Sequence, residues 1–254
     1  EDGEFHDSES VSEGGVGDQK ADYQYVLTNN GFDPVSITSL VDDQTGALLA
    51  AFKAANGGSE TLAAGASVTF YVNDFVVPVQ NAGASYVNTA TADVVASTGR
   101  ESNLTDTATV TYENVAPKIA IDKTGPATIA EGGADVTWHF KITADPTNAS
   151  TDPVTVTALV DDKLGDLLAA AKAANGGADI VLNPGASFEF DYNPPGDLVL
   201  DSGETYKNTV TVTGKDDENT PASATDDHTI TGTNVDPKIA IDKTGPATIA
   251  EGGA

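Results

Sequence analysis

The sequence contains no cysteine and no methionine, and it has few basic residues. Without cysteine, disulfides, thiolate zinc sites, iron–sulfur clusters and thiol catalysis are excluded. Without methionine, the initiator is missing, so we expect a processed product or a piece of a longer chain. Twelve basic residues against 39 acidic ones give a net charge of −27, which argues against binding to nucleic acid or to an anionic membrane surface. No apolar run approaches the roughly 18 residues of a membrane span, so we expect no membrane insertion in this segment.

An internal repeat organises the 254 residues that are present. The eighteen letters PKIAIDKTGPATIAEGGA occupy positions 117–134 and occur again, unchanged, at 237–254. Weaker matches relate 41–58 to 160–177, with the segment AANGG in both. A repeat of this length predicts a tandem array of similar structural units.

The repeat predicts two units and the start of another. At the head of the first unit, EFHDSESVSEGG stands where the other copies have KIAIDKTGPATIAEGG, so we expect a weak opening strand there. The tail, in contrast, carries an opening strand that neither unit uses. The predicted boundaries are 1–115 for the first unit, 116–235 for the second unit, and 236–254 for the opening strand of a further unit.

Hydrophobic residues alternate with polar ones along much of each unit. In Asp135–Thr143, the side chains of Val136, Trp138, Phe140 and Ile142 share one face, as in a half-buried antiparallel strand. Thr, Val and Ala dominate the other strand-like runs, and Gly, Asn, Asp and Pro separate them. These further predicted strands lie at 154–160, 186–192, 205–213 and 225–231.

A short helical pattern interrupts the strands once in each unit. Asp166–Ala174 reads DLLAAAKAA, with Asp166 as its N-cap and Asn-Gly-Gly as its end, and Ala47–Ala55 is the counterpart. About seven strands in roughly 120 residues indicate an antiparallel sandwich. The predicted fold is therefore all-β, with tandem Ig-like antiparallel β-sandwich domains that each carry a short helical insert.

Acidic residues cluster at the ends of the predicted strands of the second unit. Strand ends can converge at one pole of a sandwich, where several carboxylates would repel each other unless a cation lay between them. Ca²⁺ suits such a place because it takes six to eight oxygen ligands in irregular geometry. The alternative is a solvated acidic surface, as in salt-adapted proteins. The predicted metal ligands are Asp161, Asp162, Asp216, Asp217, Asp226 and Asp227.

The first unit offers fewer of these carboxylates. It keeps Asp42 and Asp43, but Asp106 stands alone where the second unit has an Asp pair. In place of the acidic cluster around Asp216, it has Asp93 and the segment STGRE, in which Arg100, the only arginine of the chain, would replace a cation. We therefore expect Ca²⁺ mainly in the second unit. No nucleophile elbow, phosphate-binding loop or spaced histidine set occurs, so we do not expect an enzyme.

The order of several motifs resembles the Ig-like tandem repeats of large prokaryotic surface and secreted proteins. The motifs are KTGPATIAEGG, VTWHFKIT, LVDDKLGDL, LNPGASF, YKNTVTVTG, DDEN and DDHTI. The resemblance covers the second unit, most of the first unit and the tail. It implies an extracellular or cell-surface β-sandwich stalk, often stabilised by calcium, with the family's acidic positions on the six aspartates named above.

Two functions remain open on the sequence. The first is a structural segment of an extracellular stalk or filament, in which residues 237–254 of one copy supply the missing opening strand to the first unit of the next copy. The chain would equally be a slice of a longer polypeptide, with the tail beginning a third unit, so its partners are neighbouring copies or further repeats. The second is an adhesin module that binds a glycan or a protein through its loops, for which the helical insert is the candidate surface.

Overall fold

The computed structural model describes residues 5–14, 19–145, 152–245 and 251–252. Of the tail segment 237–254, residues 246–250 and 253–254 therefore lie outside the described residues. The helices are α1 (Leu49–Ala55) and α2 (Leu168–Ala174). The strands are β1 (Ser8–Ser12), β2 (Lys20–Thr28), β3 (Val35–Asp42), β4 (Gly46–Ala47), β5 (Thr61–Leu62), β6 (Ser67–Val76), β7 (Ser85–Ala96), β8 (Glu101–Glu113), β9 (Ile119–Thr124), β10 (Thr128–Ala130), β11 (Trp138–Ala144), β12 (Val154–Asp161), β13 (Gly165–Asp166), β14 (Val181–Leu182), β15 (Ser187–Tyr192), β16 (Thr205–Lys215) and β17 (Pro221–Thr233).

The second unit is a sandwich of two sheets. One sheet has the order β10-β17-β16-β12-β13, with β14 also paired to β12, and the other has the order β15-β11-β9. Trp138, Phe140 and Ile142 point from β11 into the space between the sheets and are almost fully buried, as the alternation predicts. The predicted all-β sandwich fold is confirmed.

The first unit repeats this architecture with one strand fewer. Its larger sheet has the order β1-β8-β7-β3-β4, with β5 also paired to β3, and its smaller sheet consists of β2 and β6. Each strand of the first unit therefore has a counterpart in the second unit. In the reverse direction, β9 has no counterpart among the described residues.

The opening segment of the second unit crosses from one sheet to the other. After β9 ends at Thr124, the residues Gly125 and Pro126 interrupt the strand, since proline has no N–H to donate to a ladder. The chain resumes as β10, which pairs parallel to β17 in the opposite sheet, and β1 pairs in the same parallel way with β8. These two parallel pairs are an addition to the antiparallel arrangement that the sequence predicts.

The two helices are part of the cores. Phe52 of α1 and Ala171 of α2 are completely buried. Helix α2 begins at Leu168, two residues later than the prediction, and Asp166 accepts a hydrogen bond from the Leu168 N–H (2.9 Å). The helix ends as predicted, because Gly177 has a positive φ of 86° and donates its N–H to a carbonyl of the last turn. No helix in the described ranges has the length and apolarity that crossing a membrane requires.

Candidate functional site

The two units differ at one sheet edge. In the second unit, β11 lies between β15 and β9, and its Phe140 and Ile142 are opposite Lys123 and Ile121 of β9. In the first unit, β2 pairs with β6 on one side, and no strand pairs with its other side among the described residues. An unpaired strand presents a row of backbone N–H and C=O groups that another segment can bind.

A cavity of about 720 Å³ opens beside β2, in the place that β9 takes in the second unit. We call it the β2 groove. Apolar side chains of both sheets line it, together with buried polar groups of the larger sheet. Its lining includes Tyr25, Leu27, Ile37, Leu40, Asp42 and Asn88.

A buried carboxylate lies in the wall of this groove. Asp42 is 2 % exposed. It accepts hydrogen bonds from the hydroxyl of Tyr25 (2.8 Å) and from the backbone N–H groups of Gln44 (2.9 Å) and Thr45 (2.6 Å). These donors are neutral, so among the described residues they leave the negative charge of the carboxylate without an opposite charge.

Two further polar groups beside Asp42 are incompletely bonded. The amide of Asn88 and the hydroxyl of Tyr23 are both buried, and neither makes a hydrogen bond of normal geometry within the described part of the chain. Burial raises the pKa of Tyr23, and the nearby amide of Asn88 opposes this by lowering it. Because buried polar atoms are generally bonded in folded proteins, the groove has unused capacity for a polar ligand.

The equivalent carboxylate of the second unit has a cation. Asp161 binds the ammonium of Lys123, and both side chains are completely buried. Asp161 also accepts from the backbone N–H groups of Lys163 (3.0 Å) and Leu164 (2.9 Å) and from the side-chain amide of Asn208 (3.1 Å). The second unit thus completes, with Lys123, the arrangement that is partial in the first unit.

Lys123 comes from β9, where it continues an inward row. Ile119, Ile121 and Lys123 are buried and the residues between them are exposed. The ammonium of Lys123 lies 4.5 Å from the centre of the Trp138 ring and 5.6 Å from that of Phe140. Aromatic faces attract cations, and the attraction grows when the cation is removed from water.

Ring geometry supports the equivalence of the two walls. Tyr25 stacks on Phe70 with ring centres 5.1 Å apart, and Phe140 stacks on Phe190 at the same 5.1 Å. The members of each pair are opposite each other in the β2–β6 and β11–β15 ladders. Tyr25 therefore corresponds to Phe140, and the β2 groove corresponds to the space that β9 fills.

Asp161 and Asp226, two of the predicted metal ligands, lie on either side of Lys123. Asp161 binds its ammonium, and Asp226 accepts a hydrogen bond from its backbone N–H (2.7 Å). The charge of Asp161 is thus already opposed by a protein cation in this structure. This ion pair supplies an opposite charge at this strand end, and the assignment of metal ligands at Asp161 and Asp226 stays a prediction.

Asp162 and Asp227 also have protein partners. Asp162 accepts from the backbone N–H of Thr209 (2.7 Å), and Asp227 forms an exposed ion pair with Lys207 (3.1 Å). The assignment of metal ligands at these two positions stays a prediction.

Asp216 and Asp217 lie in the turn between β16 and β17, where they contact the first unit. Asp216 accepts from the backbone N–H of Thr220 (2.6 Å) and from the side chain of Asn114 (3.3 Å). Asp217 accepts from the side chain of Asn81 (2.6 Å). This turn thus binds residues of the preceding unit and of the link between the units.

The predicted carboxylates do not converge at one pole. Asp161 and Asp226 are both opposite Val210 of β16, whereas the turn with Asp216 follows Lys215. Five residues of strand separate these places, which is about 17 Å at 3.3 Å per residue.

Three other acidic residues meet where the units join. Carboxylate oxygens of Glu13, Asp152 and Glu218 lie within 4.8 Å of one another. We call this set the acidic junction. Glu13 is fully buried and accepts from the backbone N–H groups of Ala82 (2.8 Å) and Val115 (2.7 Å). Its hydrogen bonds hold the link between the units against the first unit.

Proton affinity at the acidic junction is raised. Burial, reinforced by the charges of Glu13 and Asp217, raises the pKa of Asp152 to about 6. Desolvation and a hydrogen bond with Asp217 raise the pKa of the partly exposed Glu218 to about 7. Mutual repulsion of carboxylates that share one site favours protonation in this way.

The metal ligands predicted from the sequence do not include Glu13, Asp152 or Glu218, although one signal was available for Glu13. The letters EGG follow the opening segment of each unit, and Glu131 accepts from the Val235 N–H (2.9 Å) as Glu13 does from the Val115 N–H. Because Glu13 and Glu131 accept the same hydrogen bond at equivalent places, the glutamate of each EGG segment is part of the link that follows its unit.

Comparisons with known proteins give distant structural similarity. No family model and no curated protein matches the chain. The fibronectin(III)-like modules of Clostridium thermocellum CbhA are 15 % identical, with a TM-score of 0.24, over 93 % of this chain and 95 % of theirs. A 1.5-MDa bacterial ice-binding adhesin is 15 % identical, with a TM-score of 0.29, over 85 % of this chain and 58 % of that one. BcpA, the major pilin subunit of Bacillus cereus, is 9 % identical, with a TM-score of 0.28, over 84 % and 70 %.

Proposed function

We propose that this chain is a structural segment of an extracellular stalk or filament, whose copies join head to tail by strand donation. The donor is the tail segment 237–254, and the acceptor is the β2 groove of another copy. One observation carries the proposal: the same eighteen residues, at 117–134, provide the strand that fills the corresponding space of the second unit.

The tail has the pattern that the groove requires. Ile239 and Ile241 correspond to the buried Ile119 and Ile121, yet they are 96 % and 92 % exposed. Burying apolar surface of this kind is worth about 1.5–3 kcal/mol for each side chain. Main-chain hydrogen bonds to the open edge of β2 would add to this, as in other cases of strand addition.

The link between successive units has the length that a chain of copies needs. Within the chain, β8 ends at Glu113 and β9 begins at Ile119. From the end of β17 at Thr233 to Ile239 the distance along the sequence is the same, and both links contain proline. Donation would therefore repeat, between copies, the connection that already exists inside one copy.

Assembly of the full chain tests the proposal. We expect sedimentation velocity to show mass increasing with protein concentration for the unchanged chain. The double substitution Ile239→Asp and Ile241→Asp should abolish this growth, because it places two charges in an apolar groove. Ala240→Asp is the matched control, since the equivalent Ala120 is exposed on β9. A chain that stays monomeric at every concentration would overturn strand donation and favour a slice of a longer polypeptide.

The adhesin alternative has less support. The helical insert was its candidate surface, but Phe52 of α1 and Ala171 of α2 are buried in the cores. Because each helix packs into the core of its unit, the helices contribute to the fold and their presence does not require a binding function. Binding of a glycan array by the unchanged chain, lost on substitution of exposed loop residues, would favour that alternative.

Calcium remains a proposal beside strand donation. Of the six aspartates that the sequence suggests, Asp216 and Asp217 lie next to the acidic junction, whose carboxylates would supply further oxygen ligands. A cation there would stiffen the connection between the units by opposing the repulsion of its carboxylates. Chelator and excess Ca²⁺, compared at constant ionic strength, test this without reference to assembly.

A further inference from the structure

We infer that Lys243 of the donated strand enters the β2 groove and binds the buried carboxylate of Asp42 in the accepting copy, and that this ion pair sets the register of donation. The inference rests on the proposed strand donation and identifies its occupant as a second copy of this chain. It adds a polar, charge-specific contact to what would otherwise be an apolar fit.

The first step is that Asp42 and Asp161 occupy equivalent places. Each is the last residue of its strand, β3 or β12, and these two strands are counterparts in the two units. Each accepts two backbone N–H groups from the turn that follows, and each lies beside a buried asparagine, Asn88 or Asn208. The two carboxylates therefore lie in the same pocket of the fold.

The second step is that no cation among the described residues of the first unit pairs with Asp42. In the parts of the first unit that the structure describes, the ion pairs involve His6, Lys20 and Lys53, and their acidic partners are other residues. A buried charge without an opposite charge is costly, even when neutral groups donate hydrogen bonds to it. Asp42 is thus a buried anion in the wall of an open groove.

The third step is the register that β9 defines. Lys123 is opposite Phe140, whose counterpart in the first unit is Tyr25. A tail strand seated in the same way puts Lys243 opposite Tyr25, which is the residue whose hydroxyl contacts Asp42. Tyr23 and Tyr25 would then take the places of the aromatic rings that surround the ammonium of Lys123.

The fourth step is that only one register brings the ammonium of Lys243 to the carboxylate of Asp42. A slip by one residue turns the isoleucines out of the groove. A slip by two residues keeps apolar side chains inside, but it puts Lys243 beyond Asp42 and leaves the carboxylate uncompensated. The pairing of Lys243 with Asp42 therefore selects one register among those that burial of isoleucine alone would allow.

The affinity test compares two lysines of the tail in the full-length chain. Lys243→Met keeps the apolar stem and removes the charge, and Lys238→Met is the matched control because the equivalent Lys118 is exposed. We expect Lys243→Met to raise the concentration for half-assembly about tenfold or more, as is usual when one partner of a buried charge pair is removed. Lys238→Met should leave it nearly unchanged. In combination with Asp42→Asn, the loss from Lys243→Met should shrink, since the two groups act as one pair.

The register test uses the absence of native cysteine. In β9 and β11, Thr124 is opposite His139, so Thr244 should be opposite Gln24 of the accepting copy. A copy with Thr244→Cys should form a disulfide with a copy that carries Gln24→Cys, and not with one that carries Val26→Cys, which reports a slip by two residues. Adding Lys243→Met to the donor should let both partners react.

The outcomes separate the two claims. If Lys243→Met behaves like Lys238→Met while Ile239→Asp with Ile241→Asp abolishes assembly, strand donation stands and the role of Lys243 is overturned. Crosslinking to Val26→Cys by the unchanged donor would also overturn the register. If the isoleucine substitutions have no effect on assembly, the proposed function fails and the inference fails with it.

Discussion

Lys123 and Asp161 form an ion pair in which both side chains are completely buried. The pair joins the opening strand β9 to the end of β12. The ammonium of Lys123 lies near the rings of Trp138 and Phe140 on β11, and the turn that follows β12 donates two backbone N–H groups to Asp161. A buried ion pair contributes little net stability compared with an apolar pair of the same shape, but removing one partner is costly. We therefore expect the pair to contribute to the specificity of strand placement more than to stability.

We predict that Lys123→Met destabilises the second unit by about 3–5 kcal/mol, because it leaves the charge of Asp161 buried and unpaired. Adding Asp161→Asn should recover part of this loss. Urea unfolding of the full chain measures both values. The exposed pair of Lys207 and Asp227 is the control, and Lys207→Met should cost less than about 1 kcal/mol. Equal effects at the two pairs would contradict the importance of burial.

The first unit should be the less stable of the two and should respond to the tail sequence. Its main core consists of fewer buried residues, and its groove is open in the single chain. We expect calorimetry to resolve a lower transition for the first unit at low protein concentration. A synthetic peptide with the sequence of 237–245 should raise the temperature of that transition alone. At a hundredfold excess over its dissociation constant, the peptide should increase the free energy of unfolding of the first unit by about 2.7 kcal/mol. A peptide with both isoleucines replaced by Asp is the control.

Stability at the acidic junction should fall as the pH rises. The pKa of Asp152 is raised to about 6 and that of Glu218 to about 7, so between the ordinary carboxyl pKa and these values the folded state binds more protons than the unfolded state. This contribution to stability is fully present below the ordinary carboxyl pKa and is lost as the pH rises through about 6 to 7. With chelator present, Glu218→Gln should gain stability relative to the unchanged chain between pH 5 and pH 8. A difference that is independent of pH would contradict the raised pKa.

Calcium should act where the carboxylates meet. At pH 7.5 we expect excess Ca²⁺ to raise the unfolding temperature more than sodium at equal ionic strength, and to raise it less at pH 5, where protons compete. Glu218→Gln should reduce the shift if the cation binds at the acidic junction. Asp162→Asn with Asp227→Asn is the matched control, because these residues lie elsewhere and have protein partners. Loss of the shift in the control alone would instead support the strand-end sites that the sequence suggests.

The sequence predicts the sandwich fold well because the two patterns that indicate it are local: the alternation along strands and the Asn-Gly-Gly segment after each helix. Alternation places Trp138, Phe140 and Ile142 on the buried face of a strand, and the Asn-Gly-Gly segment ends each helix where the structure has it. The repeat also predicts that the tail is an opening strand, and this stays a prediction. These features depend on neighbours within a few residues or on direct comparison of letters.

The site could not be predicted in the same way because its contacts are distant in sequence. Nothing in the letters IDK indicates that Lys123 is buried, since its partner Asp161 is 38 residues away and is brought near by strand register. Glu13 meets Glu218 only through the packing of one unit against the next. Acidic pairs such as Asp226 and Asp227 look alike in the sequence, but alternation along β17 makes the first half-buried and the second exposed.

Hydrogen exchange of β2 tests strand donation most directly. The segment 20–28 has one unpaired edge in the single chain, so its amides on that side should exchange quickly at low protein concentration. We predict that these amides become protected as concentration rises, together with those of 239–244 in the tail. With Ile239→Asp and Ile241→Asp, neither segment should gain protection, and with Ala240→Asp both should. If assembly proceeds while β2 and the tail stay unprotected, the copies join by some other surface and strand donation is contradicted.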